Sequence, residues 1–442
     1  MHALPQPALR LGVGAVVAFL VAVGLDKDAV SRYVARKYPR DAENNVSYAL
    51  SVFDSARDGL AARFPLARGE APSTALTGNE AIGLGMYAGG LDMYFSYPMT
   101  PSSSILHFLA ARARDFGITV VHPESEIAVM NMAIGAASMG ARTAVGSSGG
   151  GLALMEEGMS LAGMSETPIL CILSSRPGPS TGVPTYTAQG DLSFALNQGH
   201  GEFPRIVASP GTVEEAYGLA AELMGLAWVF QTPAILLTEK HLSESRMTVR
   251  LPETLPTQSR PRMSRAEGQY GRYALTRDGI SPLRFAPSER LVKWTSYEHD
   301  ENGISTEDPD TISAMQEKRV RKRQSLLAAM RRLQTVRRYG DSGPAIVTYG
   351  STTMSVREAL AYGNIEAEVV QPVYLAPFPT WELEGLAQRR VVIVEQSASC
   401  QMANLVRRCT GANAGASVTQ YDGRPFDPAI LARRLKEVLA PG

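Results

Sequence analysis

The sequence is poor in the residues that would give it a metal or disulfide framework. Of its 442 residues only three are cysteine, and Cys171, Cys400 and Cys409 show no CxxC or four-ligand spacing. This excludes an iron–sulfur cluster or structural zinc held by this chain alone and suggests a reducing, cytoplasmic setting. An excess of either charge is also missing, with 43 Lys plus Arg against 43 Asp plus Glu. The footprint of a dedicated nucleic-acid binder is therefore absent. No apolar run is long enough to span a bilayer. LRLGVGAVVAFLVAVGLD at 9–26 has the look of a signal-peptide core, but it falls short of roughly 20 residues, starts with Arg10 alone and is followed by no small-residue cleavage site. It is expected to be a buried helix, with no membrane partner. What is plentiful is ordinary globular material, 45% hydrophobic and 19% charged, enough for two or three domains at roughly 150 residues each.

Residues 1–66 read as helical throughout, with the amphipathic stretches LDKDAVSRYVARKY and NNVSYALSVFDSARDGLAARF after the apolar run. ARGEAPSTALTG at 67–78 reads as a linker. Beyond it, short apolar runs alternate with Ala- and Met-rich helical patterns. The expected strands are 93–97, 118–122, 142–147, 168–174, 205–209 and 234–239, and such alternation with near-continuous apolar strands indicates a parallel sheet covered on both faces. From about 246 to 340 the chain reads as a connector with a charged helix. Its basic run Lys318, Arg319, Arg321, Lys322 and Arg323 is expected to be solvated or subunit-facing, because acidic segments lie just upstream. A second alternating unit occupies 341–442.

In such sheets ligands bind beyond the carboxyl ends of the strands, where four segments stand out. YPMTPSS at 97–103 offers Thr100, Ser102 and Ser103, although helix capping alone accounts for the serines. In HPESEIAVMNMAIGA at 122–136, Pro123 suits a first helical position and Glu124 and Glu126 sit at the positive end of the macrodipole. At most one of the two carboxylates can project into a shared crevice; Glu126 has Met130 and Ala133 on its face, which makes it a candidate acid/base. VGSSGGGLALMEEGMSLAGM at 145–164 is a strand, a glycine-rich turn and a helix start that lets a ligand approach the backbone, or is merely a tight turn. It has no Walker lysine and no full dinucleotide fingerprint. The long polar loop 174–191 begins with Arg176, whose planar fork suits a substrate carboxylate, or an ordinary salt bridge.

Taken in order, TGNEAIGLGMYAGG, YPMTPSS, PESEIAVMNMAIGA, RPGPSTG, GDLSFALNQGHGEFPRIV, EHDENG, PFP, IVEQ and YDGRPF closely resemble the alpha subunit of thiamine-diphosphate-dependent 2-oxoacid:ferredoxin oxidoreductases, nearest to the 2-oxoglutarate type. The resemblance covers about 77–442. It implies an α/β fold: a pyrimidine-type thiamine-diphosphate-binding, doubly wound parallel-sheet domain (67–245), a connector (246–340) and a transketolase C-terminal-like domain (341–442). Residues 1–66 would be a short helical remnant of the gamma domain that precedes this subunit in relatives. Thiamine diphosphate would be shared with a beta subunit that holds Mg²⁺ and the iron–sulfur cluster. This chain has no GDG triplet for the diphosphate, and alone it should be inactive.

The resemblance also implies roles. Glu126 is the carboxylate that bonds the aminopyrimidine ring, and Tyr97, Pro98, Ser148 and Gly149 line the cofactor. Thr100 and Arg176 hold the substrate's carboxylate end, Thr185 lines the pocket of the 2-oxoglutarate type, and His200 is either an aid to proton traffic or structural. No residue is expected to bind metal. The implied reaction is oxidative decarboxylation of a 2-oxoacid to an acyl-CoA, with electrons passed to ferredoxin; coenzyme A binding would need a separate gamma subunit or a longer native start. The chain departs from the pattern at Gly150, Tyr186 and Ala188, where relatives commonly carry proline, a basic residue and an acid or amide. Pyruvate, a branched-chain or an aryl 2-oxoacid is the alternative substrate, and a non-catalytic paralogue the alternative of a different class.

Overall fold

The apolar run at the amino end folds as a helix because two amphipathic helices cover one of its sides. In the computed structural model, which describes residues 10–66, 74–252, 260–265 and 267–440, these helices are α1 (Leu11–Ala22), α2 (Lys27–Lys37) and α3 (Ala42–Leu60). Val13, Val17 and Val21 of α1 pack with Val30 and Val34 of α2 and with Ala49, Val52 and Phe53 of α3. Leu11 and Phe19 stay exposed, so the burial is one-sided. Among the described residues no helix is long and apolar enough to cross a membrane. This helical unit is Met1–Pro72, and Ser73–Gly442 forms a second compact unit. Residues 67–73 of the expected linker lie outside the described residues. Its end is not a loop: β1 (Thr74–Thr77) pairs antiparallel with β8 (Arg246–Val249).

The second unit runs through α4 (Gly78–Ala88), β2 (Met93–Phe95), α5 (Ser103–Phe116), β3 (Thr119–Val121), α6 (Glu126–Ser138), β4 (Thr143–Ser147), α7 (Gly149–Leu154), α8 (Glu156–Met164), β5 (Ile169–Ser175), α9 (Leu192–Leu196), β6 (Ile206–Ala208), α10 (Val213–Phe230), β7 (Pro233–Glu239) and α11 (Lys240–Glu244). After β8 come α12 (Pro309–Met330), β9 (Val336–Tyr339), β10 (Ala345–Val347), α13 (Thr352–Gly363), β11 (Glu368–Pro372), β12 (Tyr374–Ala376), β13 (Val391–Glu395), α14 (Gln401–Thr410), β14 (Ala416–Thr419) and α15 (Pro428–Leu439). One sheet has the order β12-β6-β7-β5-β4-β2-β3 and another β14-β13-β10-β11-β9.

In the first sheet all pairings are parallel except that of β12. Alternate residues of each strand serve opposite layers. Tyr94, Ala144, Leu170, Ile172 and Leu236 face α4, α5 and α10; Phe95, Val145, Cys171, Leu173 and Ile235 face α6 and α8. That two-sided burial explains why the strands read as continuous apolar runs. The chain moves from β2 out to β3 and returns across β2 to β4, which makes the gap beyond β2 and β4 the switch point of a doubly wound sheet. β12, from the carboxy-terminal part of the sequence, joins the edge of the first sheet.

The basic helix departs from expectation. Lys318, Arg319 and Lys322 are buried: both lysines pair with Glu166 at 2.5 and 2.6 Å, and Arg319 pairs with Glu298. Only Arg321 and Arg323 of the run face outward. Their positions follow the helical period: 318, 319 and 322 share the face of α12 that packs on the turn after α8.

Candidate functional site

The turn after β2 is set by α4. Thr77 and Glu80 form a capping box at its start, and the buried Asn79 donates to the Pro101 carbonyl and the Ser104 hydroxyl, each at 2.7 Å. Ser96 Oγ donates to the Gly146 carbonyl at 2.8 Å, tying the end of β2 to that of β4. Tyr97 therefore stands at the crevice rim, 38% exposed and edge-on to His122 at 5.7 Å. Pro98, Met99 and Thr100 continue the wall, half-buried.

Glu126 opens α6. The helix starts there rather than at Pro123, because Ser125 is the N-cap and accepts from the Ala128 N–H at 3.4 Å. This places the Glu126 carboxylate in the first turn, where the macrodipole favours negative charge. Glu126 is 3% exposed, whereas Glu124 is exposed; one of the pair enters the crevice, but Glu124 precedes the N-cap and lies outside the helix. Ser147 Oγ, at the end of β4, lies 3.4 Å from Glu126 Oε1 and 3.7 Å from Met99 Sδ. Next come Ser148, whose buried hydroxyl has no hydrogen-bond partner, and the glycines that begin α7. A Cβ on Gly151 would overlap Ser147 Oγ and stand 2.5 Å from Glu126 Oε1, while one on Gly150 would have open space around it. The carboxylate thus faces a cradle that only glycine leaves empty.

The opposite wall is the end of β5. Arg176 Nη1 donates to the Thr100 carbonyl at 2.7 Å, and among the described residues no carboxylate lies within ion-pair distance of this guanidinium. Ser175 Oγ donates to Asp191 Oδ2 at 2.7 Å, and a Cβ on Gly149 would stand 2.9 Å from the same oxygen. The residues follow one another in a circuit, Glu126, Ser147, Met99–Thr100, Arg176–Ser175, Asp191 and Gly149, which the main chain of the glycine turn completes at Gly151 beside Glu126. Burial raises the Asp191 carboxyl above its usual range, with the Ser175 bond and the Arg176 charge pulling it partly back. The loop that carries Arg176 is fastened to the second sheet, since Thr187 N–H donates to the Gly423 carbonyl at 2.9 Å and Gln189 N–H to the Gln396 carbonyl at 2.8 Å.

Of the residues singled out from sequence, the circuit includes Thr100, Glu126, Gly149 and Arg176, with Tyr97, Pro98 and Ser148 on its borders. Thr185 is exposed and lines a different hollow, with Thr187, Lys240, His241 and Arg424. His200 is exposed on a cavity with Glu157, Phe203 and Arg319, and its N–H donates to Ser160 Oγ. Sequence reasoning missed Ser147, Gly151 and Asp191. A hydroxyl at the last position of an apolar strand, directly before a glycine run, was the available signal for Ser147.

A buried carboxylate stands at the switch point of a doubly wound parallel sheet, beside a glycine-rich strand-to-helix turn, and the family model that covers this region makes it a thiamine-diphosphate-binding domain. The family model described as pyruvate flavodoxin/ferredoxin oxidoreductase, thiamine diP-binding, matches residues 84–318. The chain is 35% identical to the alpha subunit of 2-oxoacid:ferredoxin oxidoreductase 1 of Sulfurisphaera tokodaii over 83% of this chain and 62% of that protein. It is 31% identical to the 2-oxoglutarate synthase subunit KorA of Archaeoglobus fulgidus over 82% of this chain and 97% of that one. A solved 2-oxoglutarate:ferredoxin oxidoreductase from Magnetococcus marinus, with 2-oxoglutarate, coenzyme A and succinyl-CoA bound, superposes with a TM-score of 0.88 at 28% identity, covering 98% of this chain and 78% of that one. The chain belongs to the family of 2-oxoacid:ferredoxin oxidoreductase alpha subunits, and it spans about six-tenths of the length of the first curated relatives it matches.

Proposed function

We propose that this chain is the alpha subunit of a cytoplasmic, thiamine-diphosphate-dependent enzyme that decarboxylates a 2-oxoacid oxidatively, with 2-oxoglutarate as substrate, an acyl-CoA as product and ferredoxin as electron acceptor. The observation that carries this reading is the buried Glu126 facing the glycine cradle of Gly149–Gly151. The residues present fit the cofactor's ring: the glycine cradle leaves room beside a buried carboxylate, and the orphaned Ser148 hydroxyl would gain a partner there. The beta subunit supplies Mg²⁺, the diphosphate site and the iron–sulfur cluster. Within the segment 1–66, the helices α1, α2 and α3 correspond to the tail of a gamma domain.

When bound, thiamine diphosphate supplies the electron sink that lets a 2-oxoacid lose CO₂. Glu126 would hold the cofactor's aminopyrimidine ring through a hydrogen bond and serve there as the acid/base, with Ser147, which donates to Glu126 Oε1, orienting its carboxylate. Arg176, steadied by the Thr100 carbonyl, takes the 2-oxoacid's carboxylate as a charge-assisted pair. Tyr97 and Pro98 close the rim against water.

The test is co-expression with a beta-type partner and an assay of viologen reduction with thiamine diphosphate, Mg²⁺ and 2-oxoglutarate, with and without coenzyme A, using pyruvate as comparison. Coenzyme-A-dependent reduction with 2-oxoglutarate, above that with pyruvate, is expected. A stable complex that reduces viologen with no 2-oxoacid, even after a gamma protein is added, would refute the assignment.

A further inference from the structure

The second sheet has a switch point of its own. From β10 the chain passes through α13 to β11 on one side and returns to β13 on the other, with α13 and α14 covering opposite faces. The gap beyond the carboxyl ends of β10 and β13 is where a fold of this kind receives a ligand. It is filled from within the chain. Gln189, 2% exposed, donates from Nε2 to the Tyr349 carbonyl at 2.8 Å and accepts at Oε1 from Thr352 Oγ1 at 3.0 Å and from the Gln396 N–H at 2.9 Å. Its main-chain carbonyl accepts from the Tyr349 hydroxyl at 3.1 Å, and its N–H donates to the Gln396 carbonyl. Tyr349 and Thr352 follow β10 and Gln396 follows β13, so one residue bridges two strand ends with all four of its polar atoms engaged. A Cβ on Gly350 would stand 2.8 Å from Gln189 Nε2; the turn leaves the space that this amide takes.

Gln189 closes the loop that Arg176 opens. The first end is fixed by β5 and by the bond from Arg176 to the Thr100 carbonyl. Between the ends, residues 178–183 are exposed, and the Val183 N–H turns back on the Pro177 carbonyl, so the placement of this stretch follows from its anchors. The stretch lies along the cradle: the Ser180 carbonyl is the atom nearest to where a Cβ on Gly150 would stand, at 3.9 Å. Beyond the second end the same anchor carries the opposite wall. Two residues after Gln189, Asp191 accepts from Ser175 Oγ at 2.7 Å, and Gln401 of α14 fastens the Gly190 carbonyl and the Ser193 N–H, each at 2.7 Å.

Resting on the proposed reading of the first crevice as the site of thiamine diphosphate and the 2-oxoacid, we infer that Gln189 is a positioning residue for that site: by filling the switch point of the second sheet it sets the loop 177–188 against the glycine cradle and holds Asp191 on Ser175, the residue that precedes Arg176. Gln189 touches none of Glu126, Ser147 or Arg176 and acts on them through contacts of the main chain beside it. An anchored loop is ordered before the ligand arrives. A loop freed at Gln189 has to be ordered by the ligand, and binding then bears that cost.

The experiment uses the assembled alpha–beta complex. Chymotryptic cleavage after Tyr186, measured without substrate, follows the population of the opened loop and is expected to be roughly tenfold faster in Gln189→Ala than in wild type. KM for 2-oxoglutarate is expected to rise roughly three- to tenfold, with a smaller change in kcat, because the ordering cost has moved to the binding step. A residue that merely stabilised the fold would lower the unfolding temperature and leave both readouts alone. Cleavage as slow as in wild type, or an unchanged KM, overturns the inference. Arg176→Ala is the control: if its KM equals that of wild type, the substrate reading fails, and the Kd of thiamine diphosphate, expected to weaken roughly three- to tenfold in Gln189→Ala because the loop borders Gly150, decides in place of KM. Should Gln189→Ala fail to fold, Thr352→Val removes one bond to Gln189 Oε1 and Thr352→Ser restores it; faster cleavage and a higher KM are expected in the first and not in the second, and equal behaviour of the two overturns the inference.

Discussion

Arg176 donates from Nη1 to the main-chain carbonyl of Thr100 at 2.7 Å, so the cation that ends β5 is fixed by the turn that follows β2. The two segments are separated by β4 in the sheet, and the bond spans the crevice between them. This lets a guanidinium present its other edge to a ligand in one orientation.

Arg176→Ala is accordingly expected to raise KM for the 2-oxoacid about 10- to 100-fold, the range set by loss of a hydrogen bond to a charged group, with a smaller fall in kcat. Arg176→Lys is not expected to rescue it, because an ammonium cannot hold the carbonyl and clasp a carboxylate with one planar fork. Steady-state kinetics of the assembled enzyme decide; an unchanged KM in the alanine variant removes Arg176 from the substrate site.

Among the described residues, the Glu126 side chain has one hydrogen-bonding neighbour, Ser147, and no cation in contact. Its replacement therefore leaves no buried charge stranded. Glu126→Ala and Glu126→Gln should both fold and assemble with the beta partner while turnover drops by about 10²-fold or more. Size-exclusion chromatography checks the first point and viologen reduction the second. Near-normal turnover in either variant would show that this carboxylate takes no part in the chemistry.

Two adjacent glycines separate cradle from helix. Gly151→Ala forces a methyl into Ser147 Oγ and Glu126 Oε1, whereas Gly150→Ala meets nothing nearer than the Ser180 carbonyl at 3.9 Å. Both lie in α7, where alanine is the better helix former by roughly 0.5–1 kcal/mol. Gly150→Ala is expected to keep activity with equal or slightly higher thermal stability, and Gly151→Ala to lose most thiamine diphosphate binding. Calorimetric titration of the cofactor into the two complexes checks the contrast; matching affinities would show that the cradle is not where the ring lies.

The strands of the first sheet were readable because burial on both faces leaves a continuous apolar run, and Phe95 and Tyr94 show both layers being filled by consecutive residues. The face that Glu126 shares with Met130 and Ala133 was readable from helical spacing, whereas Glu124 points elsewhere because it precedes the helix rather than because of that spacing. What local patterns do not carry is pairing across long separations. The basic run on α12 looked solvated because its partner, Glu166, lies more than 150 positions away. The end of the linker became a strand because its partner is β8. Asp191 was hidden for a related reason: in sequence it is a helix cap, and only the fold turns it toward Ser175.

The buried cluster on α12 sets the last prediction. Lys318 and Lys322 pair with opposite oxygens of Glu166; Lys322 also donates to the Gln231 carbonyl at 3.1 Å, and Arg272 to the Glu166 carbonyl at 2.8 Å. Two ammonium groups thus share one carboxylate, with the Arg272 guanidinium on the adjoining main-chain carbonyl, in a place where all four side chains are at most 2% exposed. Burial, only partly offset by Glu166, pushes the Lys322 ammonium down to about 7, whereas an unfolded lysine titrates near 10.4. Between those values the unfolded chain binds the proton and the folded one does not, so Lys322 makes stability rise with pH from about 7 to about 10, with its full cost present below pH 7. Lys322→Met should therefore be neutral or stabilising at pH 6, and the stability of wild type relative to it should improve as pH increases. Glu166→Gln, which strands two ammonium groups, is expected to cost about 3–5 kcal/mol. Urea unfolding of the three proteins from pH 6 to 9.5 measures this; parallel profiles for wild type and Lys322→Met would mean that Lys322 keeps its proton in the fold and that the cluster carries its excess charge throughout.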